Sequence, residues 1–162
     1  LNANYDTANT VLKDRVKAYH IFERGPIKIG VFGLGIALIG LVSQKMCTGV
    51  SYTDPREAAN ECVEILRGQG CHLVVALSHL GHMGYQGEVG DMDWPQDVSG
   101  VDYVVGGHTH TLLQEPLWVK HRSGTWETPV LQVGHSGLWL GAAHFEVSEQ
   151  SAQLRSSGPR LC

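Results

Sequence analysis

Leu73-Val74-Val75-Ala76-Leu77-Ser78-His79-Leu80-Gly81-His82 and Val101-Asp102-Tyr103-Val104-Val105-Gly106-Gly107-His108-Thr109-His110-Thr111 follow one pattern, an apolar run that stops in a polar loop carrying histidine. Short apolar runs without alternation are the profile of strands buried on both faces. The polar stretch from Asp91 to Ser99 between them reads as a short helix. Strand, helix and strand in that order imply a mixed α/β architecture with parallel central strands.

Upstream of the first run, Tyr52-Thr53-Asp54-Pro55-Arg56-Glu57 opens the clearest helix of the chain. Asp54 can cap it, Pro55 suits its first position, and Glu57 stands where a capping box places its acid. Ala58, Cys62, Ile65 and Leu66 recur at helical spacing, and Gly68 and Gly70 end it. Further upstream, Val16 to Glu23 and Ile27 to Leu34 read as a β-hairpin turning at Arg24-Gly25-Pro26. The apolar run from Ile29 to Val42 holds Gly30, Gly33, Gly35 and Gly40; it is too short and too glycine-rich to span a membrane and reads as buried strand. Downstream, Pro116 to His121, Val130 to Val133 and Leu138 to Val147 look like antiparallel strands with turns at Ser123-Gly124 and Ser136-Gly137. From Ser148 to Cys162 the pattern dissolves, and Ser156-Ser157-Gly158-Pro159 reads as linker or disordered tail.

Composition narrows the function classes. The 162 residues carry 12 Lys+Arg against 16 Asp+Glu, a net charge of −4, with 17% charged residues. A nucleic-acid binder needs a basic stripe that this composition does not supply. At 43% hydrophobic the chain can bury a core, which excludes disorder away from its ends. Cys47, Cys62, Cys71 and Cys162 show no C-x-x-C spacing, so neither a zinc ribbon nor a disulfide framework is indicated. The opening residues read as an extended segment with no initiator Met and no leader pattern, so a longer natural chain is expected.

The chemistry should lie where both runs end. Ligands of open α/β sheets gather at the carboxyl ends of strands, where neighbouring loops converge. Imidazole is the commonest protein ligand of divalent transition metals, and Gly106-Gly107 would let the backbone turn sharply while presenting His108 and His110. Spacing alone leaves a solvated loop as an alternative for that pair; His79 at the equivalent strand end favours a metal. His82 and His135 are candidates for buttressing a ligand or facing substrate, with ordinary loop histidines as the alternative. His20, His72, His121 and His144 lie on strand-like runs and read as structural or surface histidines.

Taken in order, Lys28-Ile29-Gly30-Val31-Phe32-Gly33-Leu34, Asp54-Pro55 with its helix, Ser78-His79-Leu80-Gly81-His82 and Gly106-Gly107-His108-Thr109-His110-Thr111 resemble the second half of the metallophosphatase domain of the 5′-nucleotidase family, within the calcineurin-like phosphoesterases. The likeness runs from Leu1-Asn2-Ala3-Asn4-Tyr5 to about Val147, so residues 1–147 are expected to be the C-terminal part of that domain and 148–162 a linker or tail. It implies part of a four-layer α/β/β/α sandwich with mixed sheets and, in the complete domain, two divalent metal ions, with zinc, manganese and iron all suited to such ligands. By position His79 and His108 would serve one metal and His110 the other, with Ser78 and Gly107 shaping the loops. Some relatives carry an amide residue at the position of His110.

The implied activity is hydrolysis of a small phosphate ester, a nucleotide by preference, by a metal-activated water. Relatives are often exported, and no membrane span is expected in this chain. The family's remaining ligands are an Asp-x-His motif, a bridging Asp and an Asn-His pair; no Asp-x-His or Gly-Asn-His occurs here. The isolated chain is therefore expected to be catalytically poor, as a fragment of a phosphomonoesterase or, alternatively, as a non-catalytic remnant binding a metal or a partner. A single-zinc hydrolase using three His at one point is a third reading. A sheet lacking its N-terminal strands would expose an unpaired edge and invite self-association. The isolated chain is expected to sediment as oligomers; a clean monomer with cooperative unfolding would count against the fragment reading.

Overall fold

The computed structural model describes residues 1–84, 87–148 and 151–162. In chain order the strands are β1 (Tyr5–Asp6), β2 (Tyr19–Arg24), β3 (Ile27–Gly35), β4 (Ser51–Tyr52), β5 (Leu73–His79), β6 (Tyr103–Val105), β7 (Leu117–Lys120), β8 (Glu127–Leu131), β9 (Trp139–Val147) and β10 (Ala152–Leu161). The α-helix found among the described residues, α1 (Pro55–Gly68), separates β4 from β5. Six strands form a mixed sheet in the order β2-β3-β5-β6-β8-β7, in which β3, β5, β6 and β8 run parallel.

The hairpin reading holds: β2 and β3 pair antiparallel from Tyr19↔Phe32 to Arg24↔Ile27, and Gly25 takes φ +58° in the two-residue turn. Such turns need a left-handed residue that glycine adopts freely. The helix also forms as its sequence dictates. Asp54 Oδ1 accepts the Arg56 N–H at 2.7 Å, with Pro55 as the first helical residue. Ala58, Ala59, Cys62, Val63 and Leu66 form its buried stripe, while Ile65 is only half-buried. That stripe packs on Phe32, Leu34, Val74, Ala76, Val104 and Val130 of the sheet to make the core.

Four expectations are corrected. The strand read from Ile29 to Val42 stops at Gly35, because the side-chain amide of buried Asn4 accepts the Gly35 N–H (2.8 Å) and donates to its carbonyl (2.7 Å). Beyond it the chain leaves the sheet, and Ile39 is 94% exposed. The stretch expected to be helical holds only a 3₁₀ turn, Trp94–Gln96. Its anchor is the fully buried Trp94, whose ring meets Phe32 edge-on at 6.3 Å. The central strands are buried fully on one face only. The opposite face is covered at Tyr103, where Phe145 of β9 packs edge-on at 5.7 Å, but Leu77 and Val105 remain 44% and 42% exposed.

The fourth correction concerns the tail. Residues 152–161 are strand, paired antiparallel with β9 from Ala152↔Val147 to Leu161↔Trp139. Pro159 is tolerated because, among the described residues, β10 has no second neighbouring strand that would need its N–H. Leu66 is fully buried beneath Gly30, so Leu66→Ala leaves a cavity under a glycine that has no side chain to fill it. The expected loss is about 2–5 kcal/mol of unfolding free energy in a urea titration; a loss within error of zero would mean α1 is not docked as described.

Candidate metal centre at the strand ends

The parallel registers Leu77↔Val105 and Val105↔Leu131 bring the carboxyl ends of β5, β6 and β8 side by side. His79 is the last residue of β5, His108 and His110 stand in the loop after β6, and His135 lies in the loop after β8. The imidazoles of His79 and His108 are 5.1 Å apart between centroids, and those of His110 and His135 4.8 Å. A tetrahedral ion with nitrogen ligands at about 2.0–2.1 Å would set two imidazole centroids on the order of 5 Å apart. The spacing of His79 and His108 therefore fits shared ligation of one divalent ion. Burial, and after it the neighbouring His108 and His110, hold the His79 pKa below its ordinary value. A neutral ring keeps its lone pair available to a metal.

No three His, Cys, Asp or Glu side chains come together as one metal site among the described residues, which removes support from the single-zinc, three-histidine reading. The histidines instead form two pairs. His82 is beside them: its backbone N–H donates to Thr109 Oγ1 at 2.9 Å, tying the two histidine loops together, and its Nδ1 is buried with no partner among the described residues. The histidines read as structural lie elsewhere. His20 stacks edge-on against Phe22, His72 Nδ1 accepts the Lys28 N–H at 3.1 Å, His121 bonds Ser123, and His144 sits on β9.

The sharp turn falls on other residues than the sequence predicts. His108 and His110 themselves take left-handed backbone, φ +73° and +58°, while Gly106 and Gly107 do not. Such backbone costs a non-glycine residue on the order of 1–3 kcal/mol and persists only where its surroundings enforce it. Gly106 is small for a different reason. A Cβ there would lie 2.6 Å from Asp91 Oδ2, and one at Gly107 would lie 3.2 Å from His79 Nδ1.

Two buried polar residues that sequence reading did not single out shape this centre. Asp91 lies beneath the β5 loop; its N–H donates to the Gly81 carbonyl (2.7 Å), and its Oδ1 accepts from Ser78 Oγ (2.5 Å) and, at 3.4 Å, from Trp94 Nε1. Oδ2 has no partner among the described residues. Burial pushes the Asp91 carboxyl up to about 7, against the lowering effect of the Ser78 and Trp94 hydrogen bonds. Gln132 follows β8 directly, 1% exposed, and its side chain bonds Gly107, Thr109 and Thr111. A polar residue directly after the apolar Pro129-Val130-Leu131, at the strand-end position that Ser78 and Gly106 hold on β5 and β6, was the available signal.

No family model matches the chain. It is 34% identical to a 5′-nucleotidase of Vibrio cholerae over 72% of its own length and 22% of that protein's. It is 27% identical to the trifunctional nucleotide phosphoesterase protein YfkN of Bacillus subtilis over 93% of its own length and 11% of that protein's. Among solved structures, a 5′-nucleotidase precursor from Thermus thermophilus superposes with a TM-score of 0.78 at 26% identity, over 98% of this chain and 32% of that one. The chain thus spans less than a third of the length of each of these three proteins.

Asp91 gives the centre a pH signature. Its native pKa of about 7 lies above the ordinary 3.8, so the folded state holds the proton after the unfolded chain has lost it. The associated stability is complete below the unfolded pKa and is lost as pH rises toward the native one. Asp91→Asn should abolish that decline, gaining on the order of 3 kcal/mol relative to the parent between about pH 4 and pH 8. Urea titrations at the two pH values check it, and equal changes in both proteins would refute the raised pKa.

Proposed function

Since the chain carries the C-terminal part of a metallophosphatase domain of the 5′-nucleotidase family, we propose that it provides the His79, His108 and His110 ligands of a phosphomonoester hydrolase acting on nucleotides. The observation that carries this reading is the pairing of His79 and His108 at adjacent strand ends, 5.1 Å apart, in a cradle that glycine at 107 leaves open. Membership of a metallophosphatase family makes divalent metal the group to be held. In the proposal His79 and His108 hold one ion and His110 contributes to a second. Zinc, manganese and iron all accept imidazole together with carboxylate.

When bound, such ions polarise phosphoryl oxygens and lower the pKa of water, which is what hydrolysis of a phosphate ester needs. Burial of His79 lowers its pKa and favours its neutral ring, and the strand-end loops hold the three imidazoles in place. The Asp-x-His, bridging Asp and Asn-His ligands would come from sequence outside these 162 residues, which carry no Asp-x-His or Gly-Asn-His. His82 and His135 border the centre and are proposed to buttress a ligand or to face substrate. Residues 1–147 are proposed as the share of the metallophosphatase domain. Self-association through β2 and β7, the two outer strands of the sheet, belongs to the same proposal and is read by sedimentation.

The chemistry divides substrate classes cleanly: a nucleoside monophosphate presents a terminal phosphoryl group, whereas the chain's −4 net charge offers no basic track for a polynucleotide. Among the described residues no helix is long and apolar enough to cross a membrane. The test has two parts. Calorimetric titration of the chain with Zn²⁺ should show saturable uptake that His79→Ala or His108→Ala weakens at least tenfold and His121→Ala leaves unchanged. The native protein from its source should release phosphate from nucleoside monophosphates, stop on chelation and recover with added divalent metal. Uptake indifferent to His79 and His108, or hydrolysis indifferent to chelation, would overturn the reading.

A further inference from the structure

We propose that Gln132 is the positioning residue of the His108-Thr109-His110 loop, its side-chain amide holding both histidines in the left-handed backbone that presents their imidazoles to a metal. This rests on the reading of His108 and His110 as ligands. Gln132 is the first residue beyond β8, and the register Val105↔Leu131 sets it level with Gly106. Its Nε2 donates to the Gly107 carbonyl, while its Oε1 accepts from the Thr111 N–H and, at 3.0 Å, from Thr109 Oγ1. One amide thereby grips the loop before His108, between the two histidines, and after His110.

The backbone of Gln132 is fixed as well. Its carbonyl accepts the Leu113 N–H at 2.9 Å, and the Gly134 N–H returns to the Thr111 carbonyl at 2.9 Å. The side-chain atoms cannot exchange places. A donor must face Gly107 and an acceptor must face Thr111, so a carboxylate would set oxygen against oxygen at one end. Among the described residues every hydrogen bond of this buried side chain goes to the histidine loop and none to the core, which separates a positioning role from a packing one. Left-handed His108 and His110 need their surroundings to enforce them, and these bonds do so.

Gln132→Met keeps the length of the side chain and removes all three bonds; Gln132→Asn keeps the amide but draws it back from the loop by one methylene. Each is compared with the parent chain in Zn²⁺ titration calorimetry and in amide hydrogen exchange. The expected result for Gln132→Met is a Zn²⁺ affinity lower by roughly 10–100-fold. At least tenfold faster exchange at Thr111 should accompany it, with Val74 and Ala76 protected as in the parent. Gln132→Asn should move both readouts the same way, and it decides alone if Gln132→Met does not fold. Parent-like affinity and exchange would overturn the proposal, as would exchange rising equally throughout β5 and β6. A parent chain that takes up no Zn²⁺ would overturn the ligand reading and the metal half of this one; Thr111 exchange would still decide whether Gln132 holds the loop.

Discussion

The parallel pairing of β5 with β6 is fixed at its start by one buried aspartate and packed at its far end by another, and the rest of the molecule is arranged around it. At the start of the strands Asp102 accepts the Val74 N–H at 2.6 Å and an Arg67 N–H at 2.7 Å. Burial still holds the Asp102 carboxyl above its usual range, with Arg67 and Val74 opposing it. Arg67 lies in the last turn of α1 and also bonds the carbonyls of Cys71, His72 and Gly100, so one guanidinium joins the helix to both strands. Removing one partner of a buried pair exposes the desolvation cost of the other, which is why such a clamp resists change. At the far end Asp91 takes the Ser78 hydroxyl and fills the space beside Gly106.

Between these clamps the strands cannot slip, and their loops leave the sheet at one level. A one-residue slip would send every side chain to the opposite face. His79 would then turn toward the core and Ser78 toward the second face. The pairing of the imidazoles of His79 and His108 is thus a consequence of strand register. The loop after β6 adds a local requirement, two histidines in left-handed backbone, which a neighbouring strand meets through Gln132.

What the sequence disclosed and what it hid separate along a physical line. Gly25 with its turn, Asp54-Pro55 with the helix, and the two apolar runs ending in histidine act within a few residues, so their chemistry is legible locally. The stop of β3 at Gly35 depends on Asn4, thirty-one positions away, and no local signal marks it. Ser-Ser-Gly-Pro has little strand propensity, yet 152–161 pairs along β9, because the partner supplies what the segment lacks. Asp91 and Gln132 matter through partners on other strands. The half-open second face of the sheet likewise reflects which elements cover it, since Leu77 and Val105 have the same character as their buried neighbours.

The left-handed conformation at positions 108 and 110 limits which amino acids can stand there before any ligand chemistry is considered. Histidine, asparagine and aspartate enter that region several times more readily than most residues, and β-branched side chains hardly at all. The backbone therefore acts as a filter whose permitted alphabet overlaps the set of residues able to donate to a cation. Exchange at position 110 between imidazole and a short amide leaves the loop's shape intact, whereas valine or isoleucine would break the shape first. A change of side-chain donor at position 110 can then be made without rebuilding the scaffold that carries it.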